Sequence, residues 1–477
     1  MPRVSAILRL LCVALIFAPG PRAVAEALPD DFTAALQGAG IPLSRVAVVV
    51  QALDAAVPIL SHNADAALNP ASVMKLVTSF AALERLGPDY VWTTRVWADG
   101  PVVDGVLQGN LVIAGRGDPT LTLERIWLLQ RSLRAQGIRH IAGGLVLDTT
   151  YFDVPQADPG AFDDERFALY NAPAGALVAN FNAVTLRVKP GADEVLIVPD
   201  VAMPGVSIRS RVAPSDAAEC NGMRGALVPA LTGERGTELV ITGRYPRACG
   251  ERSLSLSLFE PAATFDRIFR GLWAETGGTL AGATVAGTAP PTEPLLVFAS
   301  EPLPAALTRQ NKFSNNLMTR NLFLTLGAEA YGPPATLEKG ARAVREALER
   351  RGIPTQKLVL ENGAGLSRIE RISAQALTEL LRAAHRSSWF PEFAASLPVV
   401  GIDGTLKRRF NGSALAGQAH LKTGTLRDVS ALAGYVHGAD GRRMSLVLMV
   451  YHTNARQAEA AQRALLEWVS RYKGHTE

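Results

Sequence analysis

The spacing of apolar residues changes character several times along the chain, and those changes divide it. Residues 45–53 (RVAVVVQAL) form a β-branched run, and Asp54-Ala-Ala-Val57 turns toward a second short run at 58–61. This predicts a β-hairpin. A well-punctuated helix follows: Asn69 suits the N-cap, Pro70 the first helical position, and Gly87-Pro88 the stop. Between them Met74, Leu76, Val77, Phe80, Ala81, Ala82, Leu83 and Leu86 occupy more than one face, which predicts a helix buried inside a domain. From about residue 90 to 249, short β-rich pieces (91–97, 106–114, 144–147, 183–188, 194–198, 237–242) alternate with Gly, Pro and Asp turns. Helical periodicity returns near 261–276, 305–326, 335–351 and 373–386. The chain closes with strands at 420–422, 432–437 and 444–451 and a long helix over 455–473. The pattern predicts one α/β domain made from both ends of the chain, residues 26–88 and 255–477, interrupted by a β-rich insertion over 89–254.

Composition narrows the class. The chain has 477 residues, 48% hydrophobic and 19% charged, a globular profile too long for a single core. Forty-eight basic residues against 44 acidic give +4, but Arg3, Arg9 and Arg22 all fall in the first 25 residues, which hold no acid. The remainder is 45 against 44, so no basic excess supports a nucleic-acid partner. After the N-terminus no apolar run approaches the ~18 residues of a membrane span. At the start, Arg3 and Arg9 precede an apolar stretch at 10–18, and Ala23-Val24-Ala25 follows a Pro/Gly break. That layout predicts a secretory signal over 1–25, cut before Glu26, with an uncleaved anchor as the alternative. Cys12 sits within the apolar stretch and not at a cleavage point, which argues against a lipoprotein. An exported chain meets an oxidising compartment, and only Cys220 and Cys249 remain, with 28 residues between them. A disulfide is the leading expectation, two separate buried thiols the other. No Cys or His spacing suits a structural zinc site.

The chemistry is found by elimination. The chain lacks G-x-S-x-G, G-x-x-x-x-G-K-[ST], H-E-x-x-H and G-x-G-x-x-G, and its seven histidines are scattered. Serine and lysine remain. Ser72-Val-Met-Lys75 places a hydroxyl and an amine three residues apart, on one face of the predicted helix and in its first turn, where the helix dipole favours negative charge. A partly desolvated Lys75 would carry some neutral amine and could act as a base without histidine. A second S-x-x-K, Ser470 to Lys473, falls at the end of the terminal helix and reads as a solvated helix end. Ser314-Asn315-Asn316 supplies S-x-N, and Lys422-Thr423-Gly424 supplies K-T-G on a predicted strand. Ser61-His62-Asn63 is also S-x-N, but it lies before Ser72 and inside the hairpin. The order S-x-x-K, S-x-N, K-T-G is the signature of penicillin-recognising serine enzymes.

The chain therefore resembles a low-molecular-mass penicillin-binding protein, within the D-alanyl-D-alanine carboxypeptidase/endopeptidase family that carries a large insertion between S-x-x-K and S-x-N. Here 242 positions separate Ser72 from Ser314. Residues 115–121 (GRGDPTL), 143–148 (GGLVLD), 363–368 (GAGLSR) and 401–409 (GIDGTLKRR) are similar to the same family. One departure is Asn362-Gly-Ala-Gly365, where the family usually has Asp-Gly-Ser-Gly. Residues 170–177 match it only loosely, so no substrate side-chain pocket is carried over. The resemblance implies an α/β (α+β) fold of the penicillin-binding-protein/β-lactamase-like transpeptidase class: an antiparallel sheet between helices, interrupted by one or two β-rich inserted domains. It implies Ser72 as nucleophile, Lys75 as its base, Ser314 as proton relay and Asn316 as a positioning amide. Lys422 and Thr423 would bind the substrate carboxylate beside Gly424, and the N–H groups of Ser72 and Thr425 would form the oxyanion hole. The implied activity is a periplasmic serine D-Ala-D-Ala carboxypeptidase or endopeptidase acting on peptidoglycan stem peptides or DD-cross-links. It would need no cofactor, be covalently inhibited by β-lactams and touch a membrane at most peripherally. A β-lactamase-like hydrolase and a catalytically silent wall-binding protein are the alternatives.

Overall fold

The computed structural model describes residues 26–155, 158–220, 226–410 and 413–473. The secretory signal expected over 1–25 lies outside the described residues. Both ends of the chain contribute to one five-stranded antiparallel sheet, ordered Leu60–His62, Val46–Ala52, Arg443–Tyr451, Val429–His437, Ala419–Thr425. All seven residues of Val46–Ala52 are buried, which explains why that run is apolar on both faces. The strand period of two sends Val46, Val48 and Val50 to one core and Ala47 and Val49 to the other. Helices Asp30–Gly38 and Glu459–Arg471 cover the first face; Met74–Leu86 and Ala374–Arg386 lead those that cover the second.

The Met74–Leu86 helix is buried from residue 74 through 83, as its apolar circumference requires. Its start differs from the expectation placed on Asn69 and Pro70. The Asn69 side chain accepts the Ala71 N–H at 2.9 Å and donates to Ser367 O at 2.8 Å, so it closes a tight turn and caps no α-helix. Ala71 is forced to φ +46°, and a 3-10 turn over Ala71–Val73 carries Ser72 ahead of the α-helix. Gly87, at φ +80°, ends the helix where predicted.

The inserted part contains two further cores. In the first, strands Leu145–Asp148, Asn110–Gly115, Thr93–Asp99 and Leu296–Ala299 build a sheet with Val285–Ala286 at its far edge. Helices Leu123–Ala135 and Pro261–Glu275 pack on it through Ile126, Leu129, Phe265 and Phe269. In the second, two three-stranded sheets enclose Leu186, Val188, Leu239, Ile241 and Tyr245. Because Leu296–Ala299 pairs with Thr93–Asp99 and the Pro261–Glu275 helix shares the insertion's core, we propose that the insertion extends to about residue 301 instead of 254. The 115–121 stretch serves as a docking turn: buried Asp118 accepts the Thr120 N–H and hydroxyl, both at 2.7 Å, and Gly117 O takes Asn321 Nδ2 at 3.1 Å. Asn321 lies on the Asn316–Tyr331 helix, which packs with Met74–Leu86 against the five-stranded sheet, so this amide fastens the two parts together.

Cys220 and Cys249 are joined at the margin of the second inserted core. Closing a loop of this size stabilises by about 3 kcal/mol in the chain-entropy model. Replacing both cysteines by serine is therefore expected to lower the stability of this module by that amount, measured by denaturant unfolding. The packing around the Met74–Leu86 helix should stay unchanged, because the bridge lies in a separate core. A loss below ~0.5 kcal/mol would show that the bridge leaves the unfolded chain unconstrained.

Candidate active site

Three distant tracts meet around Ser72. The S-x-x-K spacing survives the shift from α-helix to 3-10 turn: Lys75 Nζ lies 3.0 Å from Ser72 Oγ. The same amine reaches Asn316 Oδ1 at 2.6 Å and Ala364 O at 2.5 Å. Lys75 is fully buried. Burial lowers its pKa well below the ordinary lysine value, and the charges of Lys422 and Arg320 lower it further, while Glu370 opposes them. A neutral amine has two N–H donors and one lone pair. With Asn316 Oδ1 and Ala364 O accepting the two protons, the lone pair is left for the Ser72 hydroxyl.

The S-x-N tract lies at a break that the sequence pattern does not predict. The single helix expected over 305–326 is two, Leu303–Phe313 and Asn316–Tyr331. Ser314 separates them in the left-handed region, at φ 56° and ψ 39°, and the Asn315 side chain caps the second helix by accepting the Met318 N–H at 3.0 Å. The reversal aims Ser314 at the strand and Asn316 at Lys75. Asn316 Nδ2 also donates to Tyr170 O at 2.9 Å, which ties a loop of the insertion to the amide that touches Lys75.

Lys422 is the second buried amine. It donates to Ser314 Oγ and to Thr423 O, both at 2.9 Å, and burial pushes its pKa down to about 7. Thr423 pairs its hydroxyl with that of Thr405 at 2.9 Å. Lys422, Thr423, Gly424 and Thr425 lie on the sheet's edge strand, and pairing on its outer side ends at Leu421, whose N–H donates to Pro398 O at 2.8 Å. Two glycines are required by close approach. A Cβ on Gly424 would stand 2.4 Å from Pro70 O and 3.2 Å from Ser72 N; one on Gly365, itself at φ +82°, would stand 1.8 Å from Ala71 O. The turn that carries Ser72 is thus clamped between the K-T-G strand and the 361–370 loop.

Where the family usually has an aspartate, Asn362 accepts the Ala364 N–H at 3.0 Å and donates to Leu366 O at 3.0 Å. It braces the loop without adding charge. Sequence reasoning does not single out Glu370 or Arg320, which reach the site through tertiary contacts with no spacing signal of their own, and Ala364 and Tyr170 fall within the stretches 363–368 and 170–177 without standing out in them. Thr405 falls within the similar stretch 401–409 without standing out in it. Among the described residues, no group of three or more His, Cys, Asp or Glu is placed to hold a metal ion, and no helix is long and apolar enough to cross a membrane.

Comparison with known proteins agrees with this geometry. Residues 30–472 match the model of the D-Ala-D-Ala carboxypeptidase 3 (S13) family. The chain is 32% identical to a D-alanyl-D-alanine carboxypeptidase of Actinomadura sp. (strain R39), over 94% of this chain and 85% of that protein. It is 25% identical to D-alanyl-D-alanine carboxypeptidase DacB of Haemophilus influenzae, over 86% of each chain. The fold is similar to the crystal structure of penicillin binding protein 4 (dacB) from Haemophilus influenzae, with a TM-score of 0.76 at 24% identity, covering 92% of this chain and 99% of that one. The family match over residues 30–472 and the 32% identity over 94% of the chain, with the three motifs meeting at one serine, place the chain in the D-Ala-D-Ala carboxypeptidase 3 (S13) family of serine DD-peptidases among the penicillin-binding proteins.

Proposed function

We propose that this enzyme is exported and cleaves peptidoglycan peptide stems or DD-cross-links through an acyl-enzyme on Ser72, and that penicillins acylate the same oxygen. The observation that carries this reading is the placement of the buried Lys75 amine, 3.0 Å from Ser72 Oγ and held by two further acceptors. Ser72 Oγ attacks the carbonyl of the penultimate D-alanine while its proton passes to Lys75 Nζ. The oxyanion develops beside the backbone N–H groups of Ser72 and Thr425, each worth about 2.7–4 kcal/mol of barrier. Collapse breaks the C–N bond, and the proton that Lys75 took from Ser72 is passed to the leaving amine by way of Ser314, which hydrogen-bonds Lys422. Lys75 is thereby neutral again when water attacks the ester. Lys422 and Thr423 bind the terminal carboxylate, and the free edge of the strand after Leu421 accepts the substrate as an added strand. Water then hydrolyses the ester and regenerates Ser72. A β-lactam complex is known for penicillin binding protein 4 of Haemophilus influenzae, which shares this fold.

The test is incubation with a labelled penicillin followed by peptide mapping. The adduct is expected on Ser72, and Ser72→Ala should lose both adduct and D-alanine release by at least about 10³-fold. Full D-alanine release by the Ser72→Ala enzyme would place the nucleophile elsewhere. Rapid loss of the adduct would favour a β-lactamase, and labelling without peptide cleavage a silent wall-binding protein. Digestion of cross-linked against monomeric wall fragments separates endopeptidase from carboxypeptidase action.

A further inference from the structure

Glu370 is a fully buried carboxylate that none of these roles uses. Its Oε1 accepts the backbone N–H groups of Glu361, Asn362 and Gly363 at 3.1, 3.0 and 2.7 Å, and its Oε2 accepts that of Gly365 at 2.9 Å. One side chain therefore gathers four N–H donors from both sides of Ala364. Successive inward N–H groups form the kind of nest that holds an anion, here occupied by the chain's own carboxylate. With these N–H groups turned toward Glu370, the loop offers carbonyls to the Ser72 helix. Ala364 O takes Lys75 Nζ at 2.5 Å, and Gly363 O takes the Thr78 hydroxyl at 2.7 Å. All four of its partners are donors, which fits the ionised carboxylate, since a carboxylic O–H would face an N–H. Burial pushes the Glu370 carboxyl up and the four N–H donors counter it.

We propose that Glu370 is a positioning residue for acylation: it fixes the Ala364 carbonyl against Lys75 Nζ and sets a negative charge behind the cations of the site. The inference rests on the reading of Ser72 as nucleophile and Lys75 as base. The charged groups facing Lys75 are Lys422 from the edge strand, Arg320 from the Asn316–Tyr331 helix and Glu370 from the loop. Glu370 is the one anion among these three. Its charge also faces Arg320, as does that of Glu361.

The experiment is the second-order rate of Ser72 acylation by a fluorescent penicillin, followed across pH for wild type, Glu370→Gln and Glu370→Asp, with Ser72→Ala alongside. The glutamine keeps one acceptor oxygen but presents an NH₂ to the Gly365 N–H. Ala364 O should loosen, and the plateau rate should fall roughly 10- to 100-fold, the scale of an ångström misplacement. Removing the anion disfavours the ammonium form of Lys75, so the acid limb of the profile should move to lower pH. Glu370→Asp keeps the charge with a shorter reach; its plateau should fall while its acid limb stays with the wild type. A purely structural Glu370 would reduce the fraction of active protein and leave the limb of the remainder in place. A folded Glu370→Gln enzyme whose limb coincides with the wild type overturns the proposal. If the glutamine variant does not fold, a Glu370→Asp profile identical to wild type in plateau and limb overturns it instead. Undiminished labelling of Ser72→Ala would instead bring down the nucleophile assignment itself, whatever the Glu370 variants do.

Discussion

Replacing Lys75 by methionine is expected to slow penicillin acylation of Ser72 by about 10³-fold or more, within the range for losing a general base, and raising the pH should not restore it. Methionine approximates the volume of the lysine stem, so the packing of the Ser72 helix is kept. The change leaves Asn316 Oδ1 and Ala364 O without the donor they share. An orphaned buried acceptor costs about 1–3 kcal/mol, offset by no longer burying an amine that resists desolvation. The folded state should therefore persist while the rate collapses, and stopped-flow acylation together with thermal unfolding of the same sample separates the two. A Lys75→Met enzyme that keeps a tenth of the wild-type rate would mean another group removes the proton from Ser72.

Lys422 carries the second large effect, and its sign follows from its pKa. Burial places the folded-state value at about 7, against about 10.4 in an unfolded chain. The ammonium form is the one that binds a carboxylate, so kcat/KM for a substrate ending in D-alanine should fall as pH rises through the folded value. Lys422→Met should lower kcat/KM by about 10²- to 10³-fold, as expected for truncating one partner of a buried charge pair. It should also remove that alkaline decline. A substrate with an amidated C-terminus should lose much less. Stability moves the opposite way. Between the two pKa values the unfolded chain holds a proton that the folded chain does not, so stability rises with pH from about 7 toward 10.4 and is lost as pH falls through 7. The limiting size is roughly 4–5 kcal/mol, and denaturant unfolding at several pH values should show a slope that Lys422→Met flattens. Equal pH slopes for the two proteins would mean that Lys422 stays charged in the fold.

The groups that meet around Ser72 are largely legible in the sequence because each sits in a short local motif. Ser72 and Lys75 are three positions apart, and one turn of either a 3-10 or an α-helix brings them together. The hairpin, the last three strands and most helices follow from period-two and period-3.6 patterns. What escaped is set by tertiary contact. Residues 305–326 contain no proline and no glycine that would announce a break, yet Ser314 turns left-handed where it meets Lys422. Apolar residues at Leu123, Ile126, Leu129 and Leu133 carry a helical period, but β-rich neighbours on both sides mask it. The Pro261–Glu275 helix is plain in the sequence while its allegiance is not, since periodicity shows that a face is buried and not which core buries it. Glu370 is the extreme case: one acidic residue among 44, marked only by the four N–H groups that surround it.

The order of strands in the catalytic sheet has a consequence for when the protein can act. Val46 pairs with Val450, so the first long strand to leave the ribosome finds its central partner only after some four hundred further residues have been made. The insertion is complete by then and has a core of its own. A nascent or C-terminally clipped chain lacks the strand between Val46–Ala52 and Val429–His437, and with it the platform that sets Lys422 beside Ser314. The arrangement around Ser72 therefore arrives late, as a property of a chain long enough to include Arg443–Tyr451, and shorter intermediates are inert by construction.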